Sequence, residues 1–141
     1  MGYLIRDARD GDFDAVASFL DQNLRRDYFI PHRQLREILA GRYHRTIVAV
    51  DDVTVLGIAI MTRRSRTLVN LLVDACERKR GIADALLSRL RVERIRIKTN
   101  VSDGDPTSYY LKRGFRLTDE RTGKKHIRIA VIDLNSPPEY L

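Results

Sequence analysis

The chain has 141 residues, a length that suits one domain with one core and about 68–70% of the unfolded surface buried. Its 43% hydrophobic content argues against disorder, its single cysteine (Cys76) excludes an internal disulfide framework, and no apolar run approaches the ~20 residues that cross a bilayer. The net charge of +7 is uneven: residues 1–60 carry 8 Lys and Arg against 9 Asp and Glu, residues 61–130 carry 18 against 8, and residues 131–141 carry none against 2.

In chain order, Tyr3–Ala8 alternates as a short strand. Asp10, Gly11 and Asp12 supply turn and capping chemistry. Phe13, Val16, Phe19, Leu20 and Leu24 then recur at helical spacing, which predicts a first amphipathic helix to about Arg26. Pro31 suits the first position of a second helix, with Leu35, Ile38 and Leu39 on its apolar face and Gly41 at its end. Thr46–Val50 and Val55–Thr62 flank Asp51–Asp52 as an antiparallel hairpin. After the polar turn Arg63–Arg66, Thr67–Val73 is nearly continuous apolar, the pattern of a central strand covered on both faces. Ile82, Leu86, Leu87 and Leu90 mark a third helix, and Ile95 and Ile97 mark a strand over Arg94–Thr99. Asp105 and Pro106 open a short helix to about Arg113, which Gly114 ends. Phe115–Leu117 and Ile127–Leu134 are the last strands, joined near Gly123, and the tail NSPPEYL is expected to be extended or mobile. The predicted fold class is α/β, an α+β mixed sheet in the order β-α-α-β-β-β-α-β-α-β-β, with one domain over residues 1–134, a tail at 135–141 and a βαβ unit at Thr67–Thr99.

The stretch ERKRGIADAL, residues 77–86, places Arg78, Lys79, Arg80 and Gly81 between a strand and a helix. Glycine lets a backbone approach a ligand closely, and the first N–H groups of a helix lack partners and carry the positive end of its dipole. A phosphate fits there, and three cations add to the attraction. The plain alternative is a solvated basic turn. Neither GxxxxGK[ST] nor GxGxxG occurs in the chain, so the two common nucleotide-loop fingerprints are missing. The positive field of residues 61–130 fits the same choice: a phosphorylated cofactor, a nucleic acid, or no anionic partner.

Arg78-x-x-Gly81-x-Ala83 resembles the Q/R-x-x-G-x-G/A signature of the GNAT-type N-acetyltransferase superfamily. LLVDACERKRGIADALL resembles the strand, loop and helix around that signature, YYLKRGFR the later Y-x-K-x-G-F block, and YLIRDARDGDFDAVASFL the opening strand and helix. These blocks stand in family order and span about residues 3–134. The resemblance implies a GNAT-like fold and an acetyl-CoA site. Backbone N–H groups of Arg78, Lys79, Arg80, Gly81, Ile82 and Ala83 would hold the pyrophosphate, and Leu71, Leu72 and Val73 would pair with the pantetheine arm. It further implies direct attack by a primary amine on the thioester, with Tyr110, four residues before Gly114, protonating the leaving thiolate rather than its neighbour Tyr109. An Asn that the family tends to place before the last helix falls here near Asp103, with Asn100 slightly earlier, as further CoA contacts. The link from Leu90 to Arg94 is short for the family, which predicts a clipped third helix.

The base that takes the amine's proton is not legible. Thr67–Val73 holds no acid, and Asp74 and Glu77 are expected to face solvent, which leaves a water relayed by the backbone or Asn70. The acceptor cleft of such a fold is built largely by about Leu24–Arg45, where Arg25, Arg26, Arg33, Arg36, Arg42 and Arg45 face only Asp27 and Glu37. That balance favours an anionic or nucleic-acid-linked amine over a polyamine, with Tyr28, Phe29 and Tyr43 as stacking residues or as ordinary surface and core aromatics. A non-catalytic module that binds acyl-CoA or nucleic acid is the alternative function. His32, His44 and His126 lack metal-type spacing. MGYLIRDARD has no apolar signal core, and the lone thiol suits a reducing compartment, so a cytoplasmic protein with no membrane segment is expected. The resemblance is also compatible with a homodimer through the last strands or the tail.

Overall fold

The computed structural model describes residues 2–24, 30–78, 80–100, 107–122 and 127–133. The elements follow the predicted order: β1 (Leu4–Asp7), α1 (Phe13–Asn23), α2 (His32–Ala40), β2 (His44–Asp51), β3 (Thr54–Thr62), β4 (Thr67–Val73), α3 (Ile82–Leu90), β5 (Arg94–Asn100), α4 (Thr107–Leu111), β6 (Arg116–Thr122) and β7 (Ile127–Asp133). The main differences lie at element ends. α1 stops at Asn23, whose side-chain amide donates to the Phe19 carbonyl at 2.8 Å, and Leu24 is already extended. Pro31 caps α2 from outside the helix, its carbonyl accepting from Leu35 N at 2.9 Å. Gly41 takes the left-handed conformation expected of a helix-ending glycine, φ +80°. The nine-residue α3 ends at Leu90 because Arg91 turns left-handed, φ +54°. The guanidinium of Arg66 then donates to the helix-end carbonyls of Leu90 and Arg91.

The strands form one mixed sheet in the order β1-β2-β3-β4-β5-β7-β6, in which β4 and β5 alone run parallel among the described residues. Alternation along the strands divides the core into two layers. Ile47, Ala49, Ala59, Met61 and Leu68 join Ile82, Leu86, Leu87 and Leu90 of α3 on one face. Val48, Val50, Ile58 and Ile60 join Val16, Phe19 and Leu20 of α1 and Leu35, Ile38 and Leu39 of α2 on the other. Gly57 lets α3 settle onto β3: a Cβ there would stand 3.0 Å from Ile82 Cγ2 and 3.2 Å from both the Leu72 carbonyl and Leu86 Cδ1.

β4 departs from its predicted character. Only Thr67 and Leu68 are buried, and Val69 through Val73 are half-buried. Two backbone events explain this. The register with β5 stops at Leu68↔Ile95, although both strands run on to Val73 and Asn100. The register with β3 skips Val69, passing from Ile60↔Asn70 to Met61↔Leu68, so the strand bulges there. Beyond the bulge, Leu71 and Val73 pack towards the α3 layer and Leu72 towards the α1–α2 layer. The result is a V between β4 and β5, open at their carboxyl ends.

Candidate active site

β4 leads directly into the basic stretch. Asp74 N donates to the Leu56 carbonyl at 2.9 Å, and Ala75–Glu77 form a single 3-10 turn. Asp74 caps that turn, its Oδ1 accepting from Cys76 N at 2.9 Å. Glu77 pairs with Arg80. Both residues are half-buried, and their carboxylates are engaged in hydrogen bonds at the surface. Gly81 adopts φ +79°, a conformation that only glycine takes without strain, and nothing lies within 4 Å of the Cβ position it leaves vacant. α3 starts at the next residue, so the N–H groups of its first turn emerge beside that open space.

A hollow of about 210 Å³ occupies the spot. Val73 from the end of β4 forms one wall, and Arg78, Gly81, Ile82 and Ala83 form the loop side. Tyr109, Arg113 and Asp84 close it from α3 and the α4 region. A wider groove of about 750 Å³ adjoins it between α3 and the α4 region, sharing Asp84 and Arg113. The three loop cations do not act alike. Arg78 borders the hollow, Arg80 is held by Glu77 and stands 5.5 Å from the centre of the Tyr3 ring, and Lys79 lies outside the described residues.

The two adjacent tyrosines of α4 have opposite surroundings. Tyr110 is 7% exposed in the α3-side core, edge-on to Phe115 at 6.1 Å and to Tyr109 at 5.0 Å. Burial pushes its phenol up to about 12, so the hydroxyl keeps its proton at neutral pH. Tyr109 is half-buried at the hollow, and its hydroxyl donates to Asp84 Oδ1 at 2.6 Å. Burial, and then that hydrogen bond to the carboxylate, raise its phenol further. Arg113 Nε donates to the same oxygen at 2.6 Å, and Arg113 Nη1 donates to the Tyr109 carbonyl at 2.7 Å. Its guanidinium lies 3.5 Å from the centre of the Tyr109 ring.

Asp84 was the residue that sequence reading passed over. An acid in the first turn of a helix reads as a complement to the helix dipole. Its partners lie 25 and 29 positions away, so no local pattern could reveal them. Asn70 is half-buried on β4 opposite Ile60. Asn100 ends β5, and Asp103 lies outside the described residues, as do Tyr28 and Phe29. In the α2 region, Arg33 and Arg42 are exposed, Arg36 sits 3.8 Å from the centre of the Phe13 ring, and Arg45 is tied to Asp7 at 3.0 Å. Among the described residues no cluster of His, Cys, Asp and Glu could hold a metal ion, and no helix is long and apolar enough to cross a membrane.

A mixed sheet with a bulged fourth strand, a glycine loop and a helix N-terminus beyond it, and helices on both faces, is a GNAT-like α/β fold. The profile of the Acetyltransferase (GNAT) domain matches residues 15–133, and the chain belongs to the GNAT acetyltransferase family. Its fold is similar to that of the ribosomal-protein-S18-alanine N-acetyltransferase of Escherichia coli, with TM-score 0.76 and 15% identity over 99% of this chain and 98% of that one. It is also similar to Arabidopsis thaliana NAA60 in complex with acetyl-CoA, with TM-score 0.71 and 15% identity over 92% and 96%. A third likeness is to PaiA N-acetyltransferase from Thermoplasma acidophilum in complex with coenzyme A, with TM-score 0.68 and 14% identity over 94% and 99%. No curated protein sequence matches the chain.

Proposed function

We propose that the protein transfers an acetyl group from acetyl-CoA to a primary amine of an acceptor by direct attack in a ternary complex. The observation that carries this reading is the joining of the open β4 edge to a hollow at the α3 N-terminus, beside a left-handed glycine with clear space at its Cβ position. These residues fit the cosubstrate. Backbone N–H groups from Arg78 to Ala83 would hold the pyrophosphate, with Arg78 adding charge. The freed edge of Leu71, Leu72 and Val73 would pair with the amide-bearing arm as an extra strand would. Acetyl-CoA supplies an activated thioester carbon and a thiolate that needs a proton on leaving. Tyr110 is protonated at neutral pH and is assigned that donation. Burial of its ring holds the side chain in place. The amine gives up its proton to water.

The acceptor is assigned as an anionic or nucleic-acid-linked amine, supported by the exposed Arg33 and Arg42 on the α2 side. The setting is assigned as cytoplasmic, where an exposed thiol such as Cys76 stays reduced. A second reading, a non-catalytic acyl-CoA or nucleic-acid binding module, draws support from the lack of any carboxylate in β4.

Calorimetric titration with acetyl-CoA, and with CoA as comparison, tests the site. Micromolar affinity, about −8 kcal/mol, is expected. Gly81→Asp should weaken it by more than about tenfold, because it places a carboxylate and a strained backbone where the phosphates bind. Unchanged affinity in the variant would sink the loop assignment. Turnover with a broad amine panel separates the enzyme from the binding module.

A further inference from the structure

We propose that Asp84 is a positioning residue, which acts through Tyr109 and Arg113 to fix α4 against α3 and so to set where the Tyr110 hydroxyl stands. The inference rests on the acetyltransferase reading and on Tyr110 as its proton donor. α4 has five residues, far fewer than a helix needs to hold itself in water. Among the described residues, the Tyr110 hydroxyl makes no hydrogen bond that would fix it, and only ring packing against Phe115 and Tyr109 does so. The outer side of α4, by contrast, is tied closely. Asp84 Oδ1 receives both the Tyr109 hydroxyl and Arg113 Nε at 2.6 Å, and Arg113 returns to the Tyr109 carbonyl at 2.7 Å while covering its ring. The peptide bond between Tyr109 and Tyr110 passes any shift of the first residue to the second.

The carboxylate also stands in an awkward place. Asp84 borders the hollow three residues past Gly81, where a phosphate would bind. A negative charge there opposes an anionic cosubstrate, and pairing with Arg113 only balances it. If Asp84 mattered only to cosubstrate binding, a neutral residue would serve better. Its two effects therefore have opposite signs, and they can be measured apart.

The test compares wild type, Asp84→Asn, Tyr110→Phe and the double variant, with acetyl-CoA affinity from calorimetry and turnover from thiol release with the most active amine of a panel. Asp84→Asn should leave affinity unchanged or tighten it about threefold, since it removes a negative charge beside the hollow while its amide oxygen holds Arg113 and Tyr109 more weakly. It should lower kcat by about tenfold to a hundredfold, the scale of a misplacement near 1 Å. In the Tyr110→Phe background the same substitution should cost nothing further. Should Asp84→Asn fail to fold, Tyr109→Phe removes one of the two bonds, and a loss of about threefold, again absent in the Tyr110→Phe background, is expected. Unchanged kcat in Asp84→Asn, or the same fold-loss repeated in the double variant, would overturn the proposal. Two other results would show that the underlying reading is at fault, and the proposal would fall with it. They are a wild type that binds no acetyl-CoA or acetylates no amine, and a Tyr110→Phe variant with full turnover.

Discussion

The two edges of β4 use the same residues for different ends. Towards β3 the strand is paired from Gly57↔Val73 to Met61↔Leu68, with one bulge. Towards β5 it is paired at Thr67 and Leu68 and then released. Backbone groups of a half-buried strand must find partners somewhere; the first edge finds them in β3 and contributes stability, and the proposed function gives the second to the cosubstrate's amide-bearing arm. An open edge at the rim of a sheet invites other chains. This one lies in the middle of the sheet, between β4 and β5, with α3 packed on one face. The contrast implies that damage on the β3 side should appear as lost stability, and damage around the V as lost activity.

Tyr110→Phe should separate these most sharply. The general-acid assignment implies a fall in kcat of about 10²–10⁴-fold. Acetyl-CoA affinity and the urea midpoint should not change, since the hydroxyl has no partner among the described residues. A lower midpoint with intact kcat would make Tyr110 a core residue only. On the paired edge, Gly57→Ala brings a methyl group to within 3.0–3.2 Å of Ile82, Leu72 and Leu86. A loss of about 1–3 kcal/mol in urea unfolding is expected. If affinity for acetyl-CoA fell as well, α3 would be shown to carry the strain into the loop.

Far from both edges, Arg6 holds Asp12 through two hydrogen bonds of 2.7 and 2.8 Å at the start of α1, where Asp12 also accepts from Arg9 N at 2.7 Å. Arg6→Gln should cost about 1–2 kcal/mol without touching turnover. The Arg6 guanidinium first, and the Arg9 amide after it, hold the Asp12 carboxyl below its usual range. The folded state therefore binds fewer protons than the unfolded one. This contribution is complete above the unfolded carboxylate value near 3.9 and is lost as pH falls through the folded one. As pH drops below about 4, urea midpoints should fall less steeply in Asp12→Asn than in wild type. The smallest effect concerns His44, where burial lowers the imidazole pKa. Its neutral form is favoured in the fold, so stability should slip slightly as pH falls below about 6.5 and should not do so in His44→Gln.

The sequence by itself determined the element order, the apolar faces of the helices and the place of the loop. Helical and strand periodicities, Gly41 as a helix stop and the Gly81 junction are local properties, written in neighbouring residues. The motif blocks that run from Tyr3 to Arg116 were equally local. Tertiary structure alone decided the rest. Nearly continuous apolar character in Thr67–Val73 predicted a strand covered throughout, yet its carboxyl half is half-buried, because the bulge at Val69 and the parting from β5 depend on partner strands. Nor could the chain show that Arg80 turns to Glu77, or that Asp84 gathers Tyr109 and Arg113. Spacing encodes which face of an element is apolar. Which charged groups meet across 25 or 29 residues is set only when the helices pack.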